Sequence, residues 1–325
     1  MRVVFGVDVL ADGSAWVDLS GILAKVADGW HFWQIDDIAA TEASEFVAAM
    51  GERKLLEESV RAGAWSAARP HRRLISVTRQ GSPLGESWEP REARRLAETP
   101  LAVLVENRFS DGAFLDAVLA AFSAPETLRI KASGGLVYDS GGGVGELPKL
   151  VEDKAGKLGR RLRAVVVCDS DARFPGDFSK EARDTQARCS AHGVPCQILS
   201  KRASENYIPD EVVQDWSSSP DLTSVRGKVE ALLRLTPTQR DHFPMKKGLR
   251  DPGLDTPQEE QTLWSGVPQP DFELLKQGFQ KNFVLILFAD IDSRRVRAAA
   301  TYEAFCRRDG LGELDGIVEM IESAL

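Results

Sequence analysis

The sequence predicts an α/β fold organised around a parallel sheet. From residue 101 onward, apolar runs and amphipathic stretches alternate as strand and helix, and this order is typical of right-handed βαβ crossovers. Two of the apolar runs, residues 101–105 and 163–168, lack the polar alternation of a half-exposed strand. Unbroken apolar runs indicate strands that are buried on both faces, as parallel strands are. We therefore expect ligands at the edge where these strands end.

The pattern divides the chain into three parts. Residues 1–98 predict a small α+β accessory module, with a hairpin from 2–10 and 15–19, a helix over 42–62, a strand at 74–77 and a helix over 89–98. Residues 99–215 predict the parallel sheet, with further strands at 127–132 and 194–199 and glycine-rich turns at 133–135 and 140–143. Residues 216–325 predict a mostly helical region, with a loop over 251–270.

Composition excludes several classes of protein. The 325 residues are 43% hydrophobic and 28% charged, with a net charge of −8, so any nucleic acid must meet a local basic surface. No run of about 18 apolar residues is present, and we expect no membrane span. The four cysteines show no CxxC spacing, which favours a reduced, cytoplasmic setting. Neither a P-loop nor a dinucleotide fingerprint occurs.

Carboxylates follow two of the predicted strands directly. Glu106 ends the first strand, and Asp169 and Asp171 end the third. If the two strands are neighbours, the three side chains meet at one edge, where like charges repel unless a cation lies between them. Mg²⁺ prefers such ligands together with substrate phosphates, so the pattern indicates phosphoryl transfer with Mg²⁺ or Mn²⁺. The alternative is that one aspartate caps the next helix and the other is solvated.

This arrangement resembles the TOPRIM domain of type IA and type II topoisomerases, bacterial primases and OLD-family nucleases. The resemblance covers roughly residues 101–215, and rests on Leu104-Val105-Glu106, the glycine loop, Asp169-Ser170-Asp171 and the motif at 204–208. It is most similar to the nuclease branch and to TOPRIM-like anti-phage effectors. The chain departs from the family by carrying Asn107 where glycine is usual, and Asp111 five residues after the glutamate rather than four. A helix cap is the expected role of Asp111.

The resemblance implies a metal-dependent nuclease. Glu205 would complete a second metal position, although a surface glutamate near a helix start is the equal alternative. Lys201, or else Lys246 or Lys247 in the basic stretch, would supply positive charge during catalysis. We expect DNA as the substrate, with RNA as the alternative. The resemblance to anti-phage effectors implies an ATPase partner in a bacterial defence system, and the chain has no ATPase motif of its own.

Basic residues cluster after the sheet, and they predict the surface that binds nucleic acid. The cluster consists of Arg240, Lys246, Lys247 and Arg250. A second Asp-x-Asp at Asp290 and Asp292 follows an apolar run, but arginines come directly after it, which favours ion pairs over metal ligands. We expect this pair to be dispensable for catalysis.

Two other functions remain open at this point. A phosphatase of the haloacid-dehalogenase kind also carries Asp-x-Asp at a strand end, normally after the first strand of its domain. A catalytically inactive TOPRIM-like subunit with a regulatory or interaction role would keep the acids without turnover.

Overall fold

Two parallel four-stranded sheets form the framework of the chain in a computed structural model. The structure describes residues 1–51, 53–66, 73–82, 87–142, 145–218, 222–279, 283–288 and 300–325. The α/β class predicted from the sequence is confirmed. Among these described residues, no helix is long and apolar enough to cross a membrane.

The first sheet has the strand order β2-β1-β3-β4, and all of its pairs are parallel. The expected α+β module is therefore wrong in its finer class, because this part is itself α/β. Its elements are β1 (Arg2–Phe5), α1 (Val7–Leu10), α2 (Trp16–Ala27), β2 (Phe32–Trp33), α3 (Ile38–Glu42), α4 (Glu45–Met50), α5 (Arg53–Ser66), β3 (Leu74–Val77), β4 (Ser87–Trp88) and α6 (Pro90–Glu98).

The predicted hairpin at the start of the chain is wrong. Residues 15–19 read as an alternating strand, but they begin α2, which buries Leu19, Ile22 and Leu23 on one face. That spacing of three and four residues is helical, and it becomes visible only beyond residue 19. The single helix expected over 42–62 is divided among α3, α4 and α5, with Gly51 in a left-handed conformation at the end of α4.

The second sheet has the strand order β6-β5-β7-β8, again entirely parallel. Its elements are β5 (Leu101–Leu104), α7 (Ser110–Ala121), α8 (Pro125–Ala132), β6 (Leu136–Asp139), α9 (Leu147–Leu158), β7 (Ala164–Cys168), α10 (Lys180–His192) and β8 (Cys196–Ile198), with 3₁₀ turns at Gly159–Arg161 and Ser204–Tyr207.

The predicted second strand at 127–132 is wrong, since these residues form α8. Pro125 occupies the first turn of this helix, where a missing N–H costs nothing, and Thr127 and Ile130 bury one face. The strand follows three residues later as β6, so the glycines at 134 and 135 precede it and those at 141 and 142 follow it.

Helices cover both faces of the second sheet. Leu101, Val103 and Val165 point into a core that contains α7 and the C-terminal helices, whereas Ala102 and Val166 point toward α9 and α10. This double burial explains the unbroken apolar runs of β5 and β7.

The C-terminal part is helical in each of its described elements, and it shares the larger core with the second sheet. The predicted loop over 251–270 is wrong in part, because α14 and the start of α15 lie within it. The elements are α11 (Asp210–Ser217), α12 (Thr223–Leu233), α13 (Pro237–His242), α14 (Gln258–Trp264), α15 (Gln269–Leu275), α16 (Phe283–Phe288), α17 (Tyr302–Asp309) and α18 (Glu313–Ala324).

Candidate functional site

The carboxylates of the two central strands converge at one edge of the second sheet. Strands β5 and β7 are paired neighbours, with Leu104 opposite Val166. Glu106 lies two residues beyond β5, and Asp169 directly follows β7. Because parallel strands end at the same edge, these side chains share one rim of the sheet. The thiol of Cys168 lies 3.9 Å from Oε1 of Glu106, which ties the two strand ends together directly.

The 3₁₀ turn that follows β8 hydrogen-bonds to the carboxylates at this rim. The backbone N–H of Ser204 donates to Oδ1 of Asp169 at 3.0 Å, and its hydroxyl donates to Oδ1 of Asp111 at 3.3 Å. Asp111 also accepts the N–H of Asn107 at 2.9 Å. Its carboxylate therefore binds the loop before α7 and the 3₁₀ turn after β8, rather than capping the helix as expected.

Buried Glu205 and the partly exposed Lys246 form an ion pair beside these acids. Oε1 of Glu205 lies 2.7 Å from the ammonium of Lys246, and the glutamate side chain is only 2% exposed. The alternative of a surface glutamate is therefore wrong.

The segment that carries Lys246 is held tightly by its neighbours. The N–H of Phe279 donates to the carbonyl of Met245 at 2.6 Å, and the N–H of Leu249 donates to the carbonyl of Leu275 at 2.9 Å. Between them Gly248 has a φ of +74°, and a Cβ there would meet the backbone of Leu275. Glycine is required at this close approach, and the approach positions Lys246.

The acids raise one another's pKa. Burial, together with the charges of Asp171 and Asp111, raises the pKa of Glu106 from 4.5 to about 7. Burial and the charge of Glu106 raise the pKa of Asp169 well above its ordinary value. Burial also raises the pKa of Asp111, against the hydrogen bonds from Asn107 and Ser204. The negative charge of the cluster is therefore only partly balanced by neighbouring cations and hydrogen-bond donors.

Lys246 is the cation that responds most clearly to this cluster. Burial lowers the pKa of its ammonium, but the charges of Glu205 and Asp169 more than offset that effect and raise it. The lysine is therefore fully protonated, and its side chain is still 40% exposed.

Asp171 has an unusual backbone conformation. Its φ is +52°, in the left-handed region that non-glycine residues seldom occupy. Its N–H donates to the carbonyl of Arg202 at 2.9 Å, which fixes the peptide between β7 and the loop after β8. Such strain is concentrated at functional sites, where the surrounding structure enforces it.

A cleft of about 560 Å³ opens onto the acids. Glu106, Asp111, Asp169 and Lys246 line it, and the loop after β6 contributes Ser140 and Gly142. Asn107, Arg108 and Phe109 complete the lining on the side of α7.

The chemistry of these donors suits Mg²⁺ or Mn²⁺. Glu106, Asp111, Asp169, Asp171 and Glu205 offer only hard oxygen ligands, and the raised pKa values of Glu106 and Asp169 identify a place where a cation would be stabilised. No three His, Cys, Asp or Glu side chains in the described part of the chain are already arranged around an ion position. These side chains would therefore have to reorient to bind a metal, and Glu205 would have to give up its ion pair with Lys246.

Lys201 and Arg240 are not placed where the sequence suggested. The ammonium of Lys201 lies 2.6 Å from Oδ1 of Asp241, and its side chain is 5% exposed. Arg240 is buried against Met245 and Asp210. Burial removes both from a surface that nucleic acid could reach, so these two assignments are corrected.

The remaining basic residues and the second acidic pair have different outcomes. Lys247 is exposed on the surface, and so is Arg250, which agrees with a role in binding. Asp290 and Asp292 lie outside the residues that the structure describes, and their expected dispensability stays a prediction.

Sequence reasoning missed Arg108 and Phe109 and undervalued Asp111. Phe109 is 61% exposed, and the available signal in the sequence was an arginine and a phenylalanine within three residues of the motif glutamate. The hydrogen bond between Asp111 and Ser204 joins positions 93 residues apart, for which the sequence carries no local signal.

No protein-family model, no curated protein and no solved structure matches this chain.

Proposed function

We propose that this protein is a Mg²⁺-dependent nuclease with a TOPRIM-like site, which hydrolyses phosphodiester bonds in DNA, with RNA as the alternative. The observation that supports this most is the meeting of Glu106 and Asp169 at the ends of adjacent parallel strands, where the charge of Glu106 raises the pKa of Asp169 and burial raises the pKa of both. An uncompensated group of carboxylates at such an edge is suited to a divalent cation and a phosphate.

Glu106, Asp169, Asp171 and Glu205 are the side chains that would hold the metal. When bound, Mg²⁺ supplies a Lewis acid that polarises a phosphate oxygen and lowers the pKa of bound water. The amide of Ser204 orients the carboxylate of Asp169 through its 3.0 Å hydrogen bond.

Lys246 is the catalytic lysine in this proposal. It lines the cleft, stays protonated and is partly exposed, so it can contact a phosphate that enters. Fixed positive charge next to the reacting phosphate stabilises the charge that develops in the transition state. Lys201 is already paired with Asp241 and has no part in this step.

The biological setting that we propose is that of a defence effector that works with an ATPase partner. The resemblance to TOPRIM-like anti-phage effectors supports this setting, and a separate ATPase fits a chain whose sequence carries no P-loop motif. The partner would control when the cleft is active, and this chain would perform the cleavage.

The experiment is cleavage of plasmid DNA and tRNA with Mg²⁺ or Mn²⁺, with and without the products of neighbouring genes. Glu106→Gln and Asp169→Asn keep the side-chain shape but remove a charge, and we expect each to lower activity at least about 100-fold, beyond the usual cost of losing a supporting group. Asp153→Asn, an exposed acid on α9, serves as the matched control and should cleave normally. Normal cleavage by either site variant would exclude this metal site.

A small chromogenic phosphate monoester separates the alternatives in the same assay. Hydrolysis of the monoester without cleavage of nucleic acid would indicate a phosphatase. Binding of Mg²⁺ with no turnover on any substrate would indicate an inactive regulatory subunit.

A further inference from the structure

Phe109 is exposed at the rim of the acidic cleft. Its side chain is 61% exposed, although it lines the same cleft as Glu106, Asp169 and Lys246. Exposing a large apolar ring to water costs free energy, and at this position no core packing offsets that cost. An exposed aromatic ring at a polar site is typical of a surface that binds a flat ligand.

The backbone around Phe109 is fixed before any ligand arrives. Oδ1 of Asn107 accepts the N–H groups of Phe109 at 3.0 Å and Ser110 at 3.3 Å, and the N–H of Asn107 itself donates to Asp111. Gly112 follows within the first turn of α7 and packs so closely on Tyr138 that a Cβ would lie 2.6 Å from its ring. The ring therefore projects from a rigid turn rather than from a mobile loop.

Arg108 adds a guanidinium group to this ring. Its Cζ lies 4.8 Å from the ring centroid of Phe109, within the range of a cation–π contact. Within the described parts of the chain, no carboxylate lies within ion-pair distance of Arg108, in contrast to Arg173 and Arg234. Arg108 can therefore contact an anionic group on a ligand that stacks on Phe109.

We propose that Phe109 and Arg108 form a stacking platform for an unpaired nucleobase beside the phosphate at the acid cluster. The substrate would then be single-stranded or locally unpaired nucleic acid. A base in an intact duplex is covered on both faces by its neighbours, so only an unpaired base can stack on the ring. The inference rests on the proposed nuclease function and specifies its substrate class.

The test measures binding in Ca²⁺, which occupies Mg²⁺ sites in nucleases without supporting cleavage. The probes are a fluorescent single-stranded oligonucleotide and a hairpin duplex of the same sequence. Removing the platform for one stacked base costs about 5- to 150-fold in affinity, so Phe109→Leu should weaken single-strand binding by that factor and leave duplex binding unchanged. Phe109→Trp should restore the single-strand affinity.

A second readout is independent of overall affinity. The fluorescence of 2-aminopurine is quenched when the base stacks, so we expect wild-type protein to quench this base at one position of the strand and Phe109→Leu to lose that quenching. Arg108→Gln should weaken binding of both probes and reduce the quenching. Leu311→Ala removes another exposed apolar side chain, far along the chain on the C-terminal part, and should behave as wild type.

The outcomes separate this inference from the proposed function. One outcome is that cleavage depends on Glu106, but Phe109→Leu binds the single strand and the duplex as tightly as wild type does. This result would overturn the platform and leave the nuclease in place. Binding and quenching that depend on Phe109, without cleavage in Mg²⁺ either alone or with the products of the neighbouring genes, would support the platform and exclude the nuclease. Unchanged binding of every probe by Phe109→Leu, together with no cleavage in Mg²⁺ alone or with the products of the neighbouring genes, would overturn both the platform and the nuclease.

Discussion

The ammonium of Lys246 lies 2.7 Å from Oε1 of Glu205, a carboxylate in the 3₁₀ turn after β8 that is only 2% exposed. The two residues come from different parts of the chain, so the pair fastens the C-terminal part to the rim of the second sheet. This pair is also the only compensation that Glu205 receives from a cation in the described residues.

We expect Lys246→Met to destabilise the metal-free protein by about 1–2 kcal/mol, below the usual cost of breaking a fully buried pair because the lysine is 40% exposed. Urea unfolding measures this destabilisation. The double variant Lys246→Met with Glu205→Gln should recover most of the stability, since no buried charge is left unpaired. Additive effects in the double variant would show that the pair carries no coupling energy.

The stability of the metal-free protein should fall as pH rises through the acidic to neutral range. Glu106 has a pKa of about 7 in the folded chain and an ordinary value of 4.5, so between these values the folded state binds more protons than the unfolded state. Stability is therefore greatest below pH 4.5 as far as this group is concerned, and it is lost as pH rises through 7.

Thermal unfolding in EDTA across this range checks the sign, and Glu106→Gln should reduce the decline. Saturating Mg²⁺ should reverse the decline, because it binds the deprotonated carboxylates. A melting temperature that rises with pH by the same amount in wild type and in Glu106→Gln would contradict the assignment.

The left-handed backbone of Asp171 predicts an unusual order of stability among its variants. Glycine adopts a φ of +52° without strain, whereas alanine does not, so Asp171→Gly should be more stable than Asp171→Ala by about 1 kcal/mol. At an ordinary helical position the order is reversed. Chemical denaturation of both variants, with Asp153→Gly and Asp153→Ala on α9 as the helical control, would reveal whether the strain exists.

Nucleic-acid binding should depend on salt through Lys247 and Arg250, two exposed members of the predicted basic cluster. Each cation that no longer neutralises a phosphate lowers the slope of log K against log salt by about 0.7–0.9, so the double alanine variant should flatten the slope by roughly 1.4–1.8. Titrations in Ca²⁺ with a fluorescent oligonucleotide measure it. Lys149→Ala with Lys157→Ala, two exposed lysines of α9, should leave the slope unchanged.

The sequence was most informative where burial removes ambiguity. Strands β5 and β7 are apolar on both faces, and Glu106 and Asp169 are the first charged residues after them. The same residues therefore predict both the strands and the acids at their ends. Thr127 and Ile130 were misread because a short segment with a few apolar residues fits a strand or a helix equally well.

The cations of the site could not be predicted in the same way. Arg240 and Lys246 lie in one basic stretch of the sequence. Arg240, on α13, is buried beside Asp210, whereas Lys246 lies at the cleft. That choice depends on interactions between segments distant in sequence, such as the side-chain amide of Asn206, which donates to the carbonyls of Arg240 and Phe243.

The second sheet and the C-terminal helices share one core, so this core cannot form on the ribosome until the C-terminal helices have been synthesised. Synthesis delivers β7 and Asp169 long before Lys246 and the helices that cover one face of the sheet. A nascent chain at that stage carries an open apolar face and carboxylates without their counterion. The acidic cleft therefore reaches its final form only after the segment around Lys246 has been synthesised, and a translation product truncated before Lys246 would lack this cation of the cleft.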